Sequence, residues 1–356
     1  MSNIKKKFGI VGSLLLALAL VVIAMLPAPS LATTYPITLT DDLGRAVTIT
    51  KLPVRIISLA PSNTEILFAL GLGDRVVGVT PYCNYPPEAL AKEKVGGPSG
   101  KYINVERIVA LDPDFILAAE INGKEVIDRL AGLGLTVFGI KSTDLDDLLN
   151  DIRTVGKITN KEAAAHALTT EMQSRINAVT AKTAGLSPEQ KPKTFHICWH
   201  DPIWTAGSGT YIHDLIEKAG GVNIFADLEG YKAVDLEAVI GRDPEVILVT
   251  AMGGTASGTW DWVNTEPRLK DISARKNGRI YFAESNWVER PGPRIVLGLE
   301  QVAKYIHPGI FFDPWDYDKD NNGNISKAEA IKAVQDYFNG LIAKMQTIQV
   351  VMLYFG

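Results

Sequence analysis

The sequence has few cysteines and no excess of positive charge. Only two cysteines, Cys83 and Cys198, occur among its 356 residues, and they lie far apart in the chain. A disulfide-rich scaffold is therefore excluded. We expect both cysteines to be free, small apolar residues, the alternative being one disulfide that links two lobes. The 36 basic and 40 acidic residues give a formal net charge of −4, which argues against nucleic acid as a partner.

An uncharged apolar run lies near the N-terminus. Residues 5–7 are all lysine, the apolar run covers residues 8–26, and small residues follow up to Ala32. This order is typical of an export signal cleaved after Ala32, and no cysteine directly follows the run to carry a lipid anchor. The run is also long enough to span a bilayer if it is not cleaved. We expect an exported, extracytoplasmic protein, either secreted or held at the cell surface by this segment.

A twelve-residue acidic loop near the C-terminus matches, at every fixed position, the pattern D-x-[DN]-x-[DN]-G-x5-E of calcium-binding loops. Calcium prefers six to eight oxygen ligands, and Gly323 suits the sharp turn that brings them together. The alternative is an acidic turn followed by a helix. Since calcium is plentiful outside cells, the loop agrees with export. The predicted calcium ligands are Asp318, Asp320, Asn322, Asn324, Ser326 and Glu329.

An internal repeat organises the middle of the chain. Residues 104–117 and 235–248 align without a gap, and five positions are identical between them. A repeat of this size indicates two copies of one lobe. In the two copies, Asn104 and Asp235 are predicted to cap a short helix. An Asp-Pro pair is predicted to end each helix, and the apolar run after it is predicted to form a buried strand.

Other segments alternate between strand and helix patterns. Two capping boxes, Ser62–Glu65 and Thr159–Glu162, predict helix starts, and Gly71 is predicted to stop the first helix. Alternating strands and helices favour parallel sheets with helices on both faces. Strands are predicted over residues 55–60, 76–79, 115–119, 136–140, 194–198, 246–250 and 279–282, after a β-hairpin over residues 36–52.

These patterns predict an α/β fold of two doubly wound Rossmann-like lobes joined by a single long helix, with a small α-helical EF-hand-type C-terminal module. The helical pattern that begins at Thr159–Glu162 has no Gly or Pro before Gly185. Its roughly 25 residues would form a helix about 37 Å long. One long helix between two lobes resists large hinge motion and leaves a cleft. The predicted units are the N-terminal signal or anchor (1–32), the N-terminal lobe (33–158), the bridging helix (159–185), the C-terminal lobe (186–309) and the calcium-binding module (310–356).

Aromatic residues recur just past the predicted strand ends, where open α/β sheets bind their ligands. Together they suit a large, partly apolar small molecule, although core packing could account for any one of them. His196 and His200 are four residues apart, and we expect hydrogen-bonding residues at a strand end rather than a metal pair. The predicted ligand-binding residues are Tyr82, Asn84, Tyr85, Trp199, His200, Trp204, Tyr231, Trp287 and Arg290.

The chain resembles the substrate-binding proteins of ABC importers, in the class that takes vitamin B12, ferric siderophores and haem. The resemblance covers about residues 36–307 and implies two lobes bridged by one helix, a ligand between them and no catalysis. It also implies a dimeric ABC permease and its ATPase as partners. The segments that carry the resemblance are 58–71, 82–89, 104–114, 219–225 and 286–294.

The resemblance assigns roles to particular residues. In that family one glutamate on each lobe docks to arginines of the permease, and the matching positions are Glu106 and Glu237. A glutamate in the first turn of a helix also suits the helix dipole, so a structural role is the alternative. Trp204 and Tyr231 stand where vitamin B12-binding members carry aromatics, whereas Ala119 stands where they often carry Trp. The resemblance favours a corrinoid, with a ferric siderophore or haem as the alternative.

The C-terminal segment resembles half of a dockerin-type calcium module. Residues 311–317 do not suit an incoming helix, whereas residues 328–341 and 345–354 have helical apolar patterns and include no second calcium loop. The module is expected either to bind a surface partner or to be a structural staple that calcium orders.

Two other classes of function remain as alternatives. Bilobal α/β chains include enzymes such as metal chelatases, and an enzyme should show acid–base groups that converge in the cleft. His200, Asp201 and Glu289 form no compelling dyad, so we predict no catalytic residue and no enzymatic activity. A cell-surface binding protein without a transport role is the second alternative.

Overall fold

The computed structural model describes residues 33–97, 99–250, 258–338 and 344–355. The predicted export segment, residues 1–32, lies outside these residues. Within the described part of the chain, no helix combines the length and the hydropathy needed to cross a membrane. Both cysteines are free, as predicted, and Cys83 is buried.

A five-stranded parallel sheet forms the centre of the first half of the chain. Its strands follow the order β5-β4-β3-β6-β7, and an antiparallel hairpin of β1 and β2 precedes them. The strands are β1 (Ile37–Thr40), β2 (Ala46–Ile49), β3 (Ile56–Ser58), β4 (Val76–Val79), β5 (Glu93–Lys94), β6 (Phe115–Ala119) and β7 (Val137–Ile140). The predicted hairpin and the four predicted strands of this half are confirmed, with small shifts at their ends.

Four helices pack with this sheet: α1 (Pro61–Ala69), α2 (Val105–Ala110), α3 (Lys124–Gly132) and α4 (Leu145–Ile158). The capping box predicted for α1 is wrong, because the helix already begins at Pro61 and no side chain caps it. Proline suits the first turn of a helix, where its missing N–H is not needed. Ser62 and Glu65 therefore lie inside the helix and are buried. Gly71, with a φ of +69°, follows its end as predicted.

A second parallel sheet, ordered β11-β8-β13-β14, forms the centre of the second half. A small antiparallel sheet, ordered β12-β10-β9, lies beside it and was not predicted. The strands are β8 (Lys193–Ile197), β9 (Trp199–His200), β10 (Ile203–Ala206), β11 (Val222–Asn223), β12 (Tyr231–Val234), β13 (Val246–Val249) and β14 (Ile280–Phe282). All four residues of β13 are buried, as expected for a strand covered on both faces.

The internal repeat forms the same structure twice. Helix α2 leads into β6, and the equivalent helix α7 (Leu236–Arg242) leads into β13. Asn104 caps α2 by accepting a hydrogen bond from the N–H of Arg107, whereas Asp235 occupies the capping position without such a bond. Asp112 and Asp243 both adopt left-handed conformations, with φ of 47° and 46°. The matching strain supports a duplicated unit.

Helix α5 (Glu162–Thr183) contains 22 residues and contacts both halves of the chain. Its predicted capping box is wrong, because the hydroxyl of Thr159 donates back to the carbonyl of Val155 at the end of α4. At 1.5 Å per residue, α5 is roughly 33 Å long. Arg175 on this helix forms a two-bond ion pair with Glu300, at 2.7 and 2.8 Å.

The remaining helices of the second half are short, apart from one. They are α6 (Tyr211–Lys218), α8 (Thr259–Thr265), α9 (Ser273–Lys276), α10 (Ser285–Val288) and the twelve-residue α11 (Ile295–Ile306). Helix α11 packs against α5, α6 and α10 and carries Glu300. It therefore ties the second half to the long helix.

The C-terminal segment forms its own small core. A 3₁₀ turn (Pro314–Tyr317) stands where an incoming helix would lie, and α12 (Lys327–Phe338) and α13 (Lys344–Phe355) follow. Both predicted helices are thus present, with α12 described only as far as Phe338. Their shared core consists of Ile325, Ala330, Ala333 and Val350, packed against Phe312, Tyr317 and Leu353.

Candidate ligand-binding site

Three aromatic side chains lie on one face of the small antiparallel sheet. Trp204 pairs directly with Trp199 on one side, and Ala206 pairs with Tyr231 on the other. Because directly paired residues and alternate residues along a strand share a face, Trp199, Trp204 and Tyr231 point the same way. They are 39%, 38% and 37% exposed, while Ile203 and Thr205 on the opposite face are buried. We call these three residues the aromatic platform.

His200 pairs directly with Ile203 and so lies on the opposite face of this sheet, but its ring and that of Trp262 pack beside Trp199 at one edge. The ring of His200 lies 5.5 Å from that of Trp199 and 5.7 Å from that of Trp262. Its Nδ1 is 3.0 Å from the hydroxyl of Thr259 on α8. Trp262 was not predicted, although the pattern Trp260-Asp-Trp262 could have indicated it. Side chains two residues apart on a helix point in different directions, and the ring of Trp260 packs against Phe282.

A buried polar cluster lies at the carboxyl ends of β8 and β13. The Nε2 of His196 is 2.7 Å from the hydroxyl of Thr250 and 3.0 Å from a carboxylate oxygen of Glu289. Thr250 also donates a short hydrogen bond to Glu289. His196 is fully buried, and His200 has a separate hydrogen-bond partner in Thr259. Both histidines thus make hydrogen bonds near a strand end.

Tyr211 connects this polar cluster to the platform. Its hydroxyl donates to the carbonyl of Glu289 at 2.9 Å, and its ring lies 6.4 Å from the ring of Tyr231. Burial, reinforced by the negative charge of Glu289, raises the pKa of Tyr211 well above its usual range. The same two causes raise the pKa of Cys198 to about 12. Both groups are therefore protonated, and can donate hydrogen bonds, at neutral pH.

A buried ion-pair cluster joins the two halves of the chain. Arg294 donates to both carboxylate oxygens of Glu65, at 2.8 and 2.6 Å, and Arg290 approaches the same carboxylate at 3.4 Å. The side chain of Glu65 is only 2% exposed. The guanidinium of Arg294 also lies 3.9 Å from the centroid of the Tyr85 ring. We call Glu65, Arg290 and Arg294 the clasp.

The clasp accounts for several predicted ligand-binding residues. Arg290 donates to the side chain of Asn84 at 2.7 Å and to the carbonyl of Tyr82 at 3.4 Å. Asn84 and Arg290 are thus bonded to each other, and Tyr85 covers Arg294. Tyr82 remains 59% exposed, so its ring is available to a ligand.

The predicted ligand-binding residues therefore form two groups that meet at neighbouring residues. The platform group contains Trp199, His200, Trp204 and Tyr231, and the clasp group contains Tyr82, Asn84, Tyr85 and Arg290. The carbonyl of Glu289 accepts a hydrogen bond from Tyr211, which lies beside Tyr231 of the platform group. The next residue, Arg290, belongs to the clasp group. Trp287 is half-buried on α10, two residues before Glu289.

Sequence reasoning missed Glu65 as a site residue. Its position in an otherwise uncharged helix was a usable signal, because a charge within a buried segment requires a partner. The partner lies 229 positions away, at Arg294, and no local pattern indicates it.

Glu106 and Glu237 occupy equivalent positions on the two halves. Each lies in the first turn of its helix and is exposed. Glu237 lies 3.5 Å from Arg268 in an ion pair whose two side chains are 76% and 60% exposed. Such an exposed pair is weak and leaves Glu237 accessible.

The acidic C-terminal loop brings three carboxylates together. Oxygens of Asp318, Asp320 and Glu329 all lie within 4.8 Å of one another. The backbone N–H groups of Ser326 and Lys319 hydrogen-bond to Glu329 and lower the pKa of its carboxyl group. Three like charges at this separation repel one another unless a cation lies between them. The oxygen-only donor set fits calcium.

The predicted amide and hydroxyl ligands lie in the same loop. Asn322 hydrogen-bonds to Asp320 at 2.8 Å and accepts from the N–H of Asn324 at 2.8 Å. The hydroxyl of Ser326 accepts from the N–H of Glu329 at 3.4 Å. Gly323 adopts a φ of +77°, which supplies the sharp turn expected of it.

Comparisons with known proteins agree with this architecture. A family model described as periplasmic binding protein matches residues 56–286. The chain is 33% identical to an uncharacterized ABC transporter substrate-binding lipoprotein of Bacillus subtilis (strain 168), over 86% of this chain and 99% of that protein.

Two solved structures are similar in fold and sequence. The periplasmic vitamin B12 binding protein of Vibrio cholerae is 31% identical with a TM-score of 0.63, over 72% of this chain and 97% of that one. A periplasmic heme-binding protein from Roseiflexus sp. RS-1 is 27% identical with a TM-score of 0.64, over 71% of this chain and 98% of that one.

The α/β fold with parallel sheets is the one seen in these solved binding proteins. The chain belongs to the periplasmic binding protein family, and within it to the substrate-binding components of ABC importers of the vitamin B12, haem and siderophore class. Proteins of this family carry ligands and are not enzymes, which confirms that prediction. They work with a permease and an ATPase.

Proposed function

We propose that this chain captures a corrinoid outside the cytoplasm and delivers it to a membrane permease. The aromatic platform is the observation that carries the proposal. Trp199, Trp204 and Tyr231 present three rings on one face, each more than a third exposed. Flat aromatic surface suits stacking against a large macrocycle, and polar groups at its edge can orient the ligand.

Haem is an alternative ligand. A haem carrier can hold the iron through an imidazole. The Nε2 of His196 already contacts Thr250 and Glu289, whereas His200 contacts Thr259 through Nδ1, an arrangement that leaves its Nε2 for a metal. The similar structure from Vibrio cholerae is that of a vitamin B12 binding protein, which supports a corrinoid.

The clasp leaves an anionic ferric siderophore as an alternative ligand. Arg290 hydrogen-bonds to the neutral side chain of Asn84 and only approaches Glu65, at 3.4 Å, whereas Arg294 makes both short bonds to that carboxylate. Two guanidinium groups thus face one carboxylate, which leaves one positive charge of the clasp without a counter-charge.

The ligand assignment is tested by titrating the purified protein with cyanocobalamin, hemin and the anionic siderophore ferric enterobactin, and following intrinsic fluorescence and absorbance. We expect saturable 1:1 binding of cyanocobalamin without turnover, weakened at least tenfold by Trp204→Ala and by Tyr231→Ala. Trp315→Ala is the matched control, because Trp315 is 45% exposed and lies in the C-terminal segment. Saturable binding of hemin or ferric enterobactin, with none of cyanocobalamin, would refute the assignment.

We further propose that Glu106 and Glu237 dock the carrier to the two halves of a dimeric permease. Both are exposed in the first turns of duplicated helices, so they offer two equivalent carboxylates to a two-fold partner. Glu106→Ala combined with Glu237→Ala should abolish uptake into cells and leave soluble ligand binding intact. Glu125→Ala is the control, because Glu125 is also an exposed acid in the first turn of a helix. Loss of soluble binding in the double variant would contradict a docking role.

We also propose that the C-terminal loop binds calcium through the six predicted ligands, with Asp318, Asp320 and Glu329 supplying the charge. Calcium would remove the repulsion among these carboxylates and hold the start of α12 in place. The ion would thereby stabilise a segment whose own core contains few large side chains.

A further inference from the structure

Hydrogen-bond acceptors gather around Thr33, the first residue that the structure describes. Its N–H donates to the side-chain oxygen of Asn160 at 3.2 Å, and its hydroxyl lies 3.0 Å from the carbonyl of Lys157. The same hydroxyl makes a short hydrogen bond to the carboxylate of Glu162. A hydroxyl has one hydrogen to donate, so the carbonyl and the carboxylate compete for it. We call the three acceptors of Asn160, Lys157 and Glu162 the acceptor cluster.

The turn between α4 and α5 builds the acceptor cluster. Lys157 lies in the last turn of α4, where backbone carbonyls lack the usual helical partner. Asn160 follows in a left-handed conformation, with a φ of 56°, which asparagine tolerates better than most residues. Glu162 is the first residue of α5. Tyr35 donates to the carbonyl of Ile158 at 2.8 Å, so a second side chain holds the same segment against this turn.

We propose that a signal peptidase cleaves the chain between Ala32 and Thr33, and that the acceptor cluster binds the ammonium group so created. Hydrolysis of this amide bond consumes one water and leaves a carboxylate on Ala32 and an ammonium on Thr33. The ammonium has three N–H donors in place of one, so the carbonyl and the carboxylate no longer depend on a single hydroxyl hydrogen. Cleavage one residue away would move the charge by about 3.8 Å. The inference rests on the cleavage position predicted from the sequence.

Charged groups from both helices surround the acceptor cluster. Arg153, Lys157 and His166 line the same surface hollow as Glu162, and Arg75 donates to a carbonyl of the turn. The side chains of Arg153, Lys157 and His166 are exposed, so water and salt screen their repulsion of an ammonium. Of these side chains, that of Glu162 is the one that hydrogen-bonds to Thr33. The attraction of its carboxylate should therefore exceed the screened repulsion.

The first test is the N-terminus of the exported protein. The full chain, with its export segment, is produced in an exporting bacterial host, and the exported form is examined by intact mass and N-terminal sequencing. We expect Thr33 as the first residue. An exported form that begins at another residue, or that retains the export segment, would overturn the proposal.

The second test compares the chain of residues 33–356 with the same chain acetylated at its α-amino group. Acetylation keeps one N–H at Thr33 and removes the charge and the other donors. We expect the unfolding equilibrium constant in urea to be about threefold larger after acetylation at about pH 7. The difference should vanish at about pH 10, where the free amine has lost its proton in the folded and unfolded states alike.

A variant of Glu162 separates the ammonium site from a general effect of acetylation. Glu162→Gln should abolish the difference between the free and acetylated chains, whereas Glu171→Gln should preserve it. Glu171 is the matched control because it is an exposed acid on the same helix. Equal stability of the free and acetylated chains at about pH 7, or an undiminished difference in Glu162→Gln, would overturn the proposal. Unfolding is measured without ligand, so the result is independent of the ligand assignment.

Discussion

Replacing Glu65 by Gln should destabilise the protein far more than the same change at Glu300. Both glutamates accept two hydrogen bonds from one arginine, at 2.6 and 2.8 Å for Glu65 and at 2.7 and 2.8 Å for Glu300. Their burial differs: the side chain of Glu65 is 2% exposed, and that of Glu300 is 37% exposed. The pair of variants therefore compares a buried and a partly exposed carboxylate with the same two-bond contact to one arginine, Glu65 having Arg290 as a further neighbour at 3.4 Å.

The expected magnitude follows from that burial. Removing one partner of a buried ion pair costs about 3–5 kcal/mol, because the remaining charge stays desolvated without compensation. Glu65→Gln leaves two guanidinium groups, on Arg290 and Arg294, facing a neutral amide. Both arginines are about one-sixth exposed, so water can relieve part of the cost, and we expect about 3 kcal/mol. Glu300→Gln removes an exposed pair and should cost at most about 1 kcal/mol.

The measurement is urea unfolding followed by tryptophan fluorescence, with the free energy of unfolding extrapolated to water for wild type and both variants. Equal destabilisation by Glu65→Gln and Glu300→Gln would refute the reasoning, because geometry alone would then set the energy. A loss below about 1 kcal/mol for Glu65→Gln would show that the clasp is not a desolvated ion pair in solution.

Three further predictions concern other parts of the molecule. Burial, opposed by a hydrogen bond from Ser142, raises the pKa of Asp151 to about 8. The folded state then binds more protons than the unfolded state, so wild-type stability should fall as pH rises from about 4 to about 8, by up to about 1.4 kcal/mol per unit, and Asp151→Asn should remove this slope in urea unfolding. Glu329→Gln should weaken calcium binding at least tenfold by calorimetry and leave ligand binding unchanged. Trp262→Ala should weaken ligand binding by three- to tenfold in fluorescence titration, less than Trp204→Ala, because Trp262 touches only the edge of the platform through His200.

Each of these three has an outcome that would contradict it. An unchanged pH slope in Asp151→Asn would show that Asp151 is ionised in the folded protein. Unaltered calcium affinity in Glu329→Gln would show that the loop is not the calcium site. A larger loss of ligand affinity in Trp262→Ala than in Trp204→Ala would show that the ligand binds mainly near α8.

Most strands of the parallel sheets could be predicted from sequence because they are short, mainly apolar runs, whereas the two-residue strands β5 and β11 were not predicted. Phe115–Ala119 and Val76–Val79 were placed to the residue, since burial on both faces leaves an unbroken hydrophobic signal. The small antiparallel sheet was missed because its strands are not unbroken apolar runs: β9 has two residues, β10 includes an exposed residue, and β12 is almost wholly exposed. Its alternation of buried Ile203 and exposed Trp204 is real but too brief to distinguish from a loop.

Both capping boxes failed for local reasons that the pattern does not encode. At Ser62 the preceding proline already starts the helix, so the serine falls within the first turn. At Thr159 the hydroxyl bonds backward to the previous helix instead of forward to the next one. The motif specifies residue types and spacing. The same hydroxyl can, however, hydrogen-bond either to the helix that precedes it or to the helix that follows it.

The aromatic residues of the site could be predicted one by one, but their grouping could not. Their place after strand ends follows from the fold, whereas their common face depends on the pairing of Trp204 with Trp199. The clasp depends on residues more than 200 positions apart. Long-range ion pairs leave no periodic trace in a single sequence.

The clasp also constrains how a ligand reaches the site. Separating the two halves at this point would break the ion pairs of Glu65, but it would also return the three charged groups to water, which offsets part of the cost. Opening should therefore cost less than Glu65→Gln, in which the two arginines stay desolvated without their partner. With the clasp closed, the rings of Tyr82 and Trp204 remain exposed to an arriving ligand. Discrimination between ligands in that state would arise from the shape and aromatic surface already present.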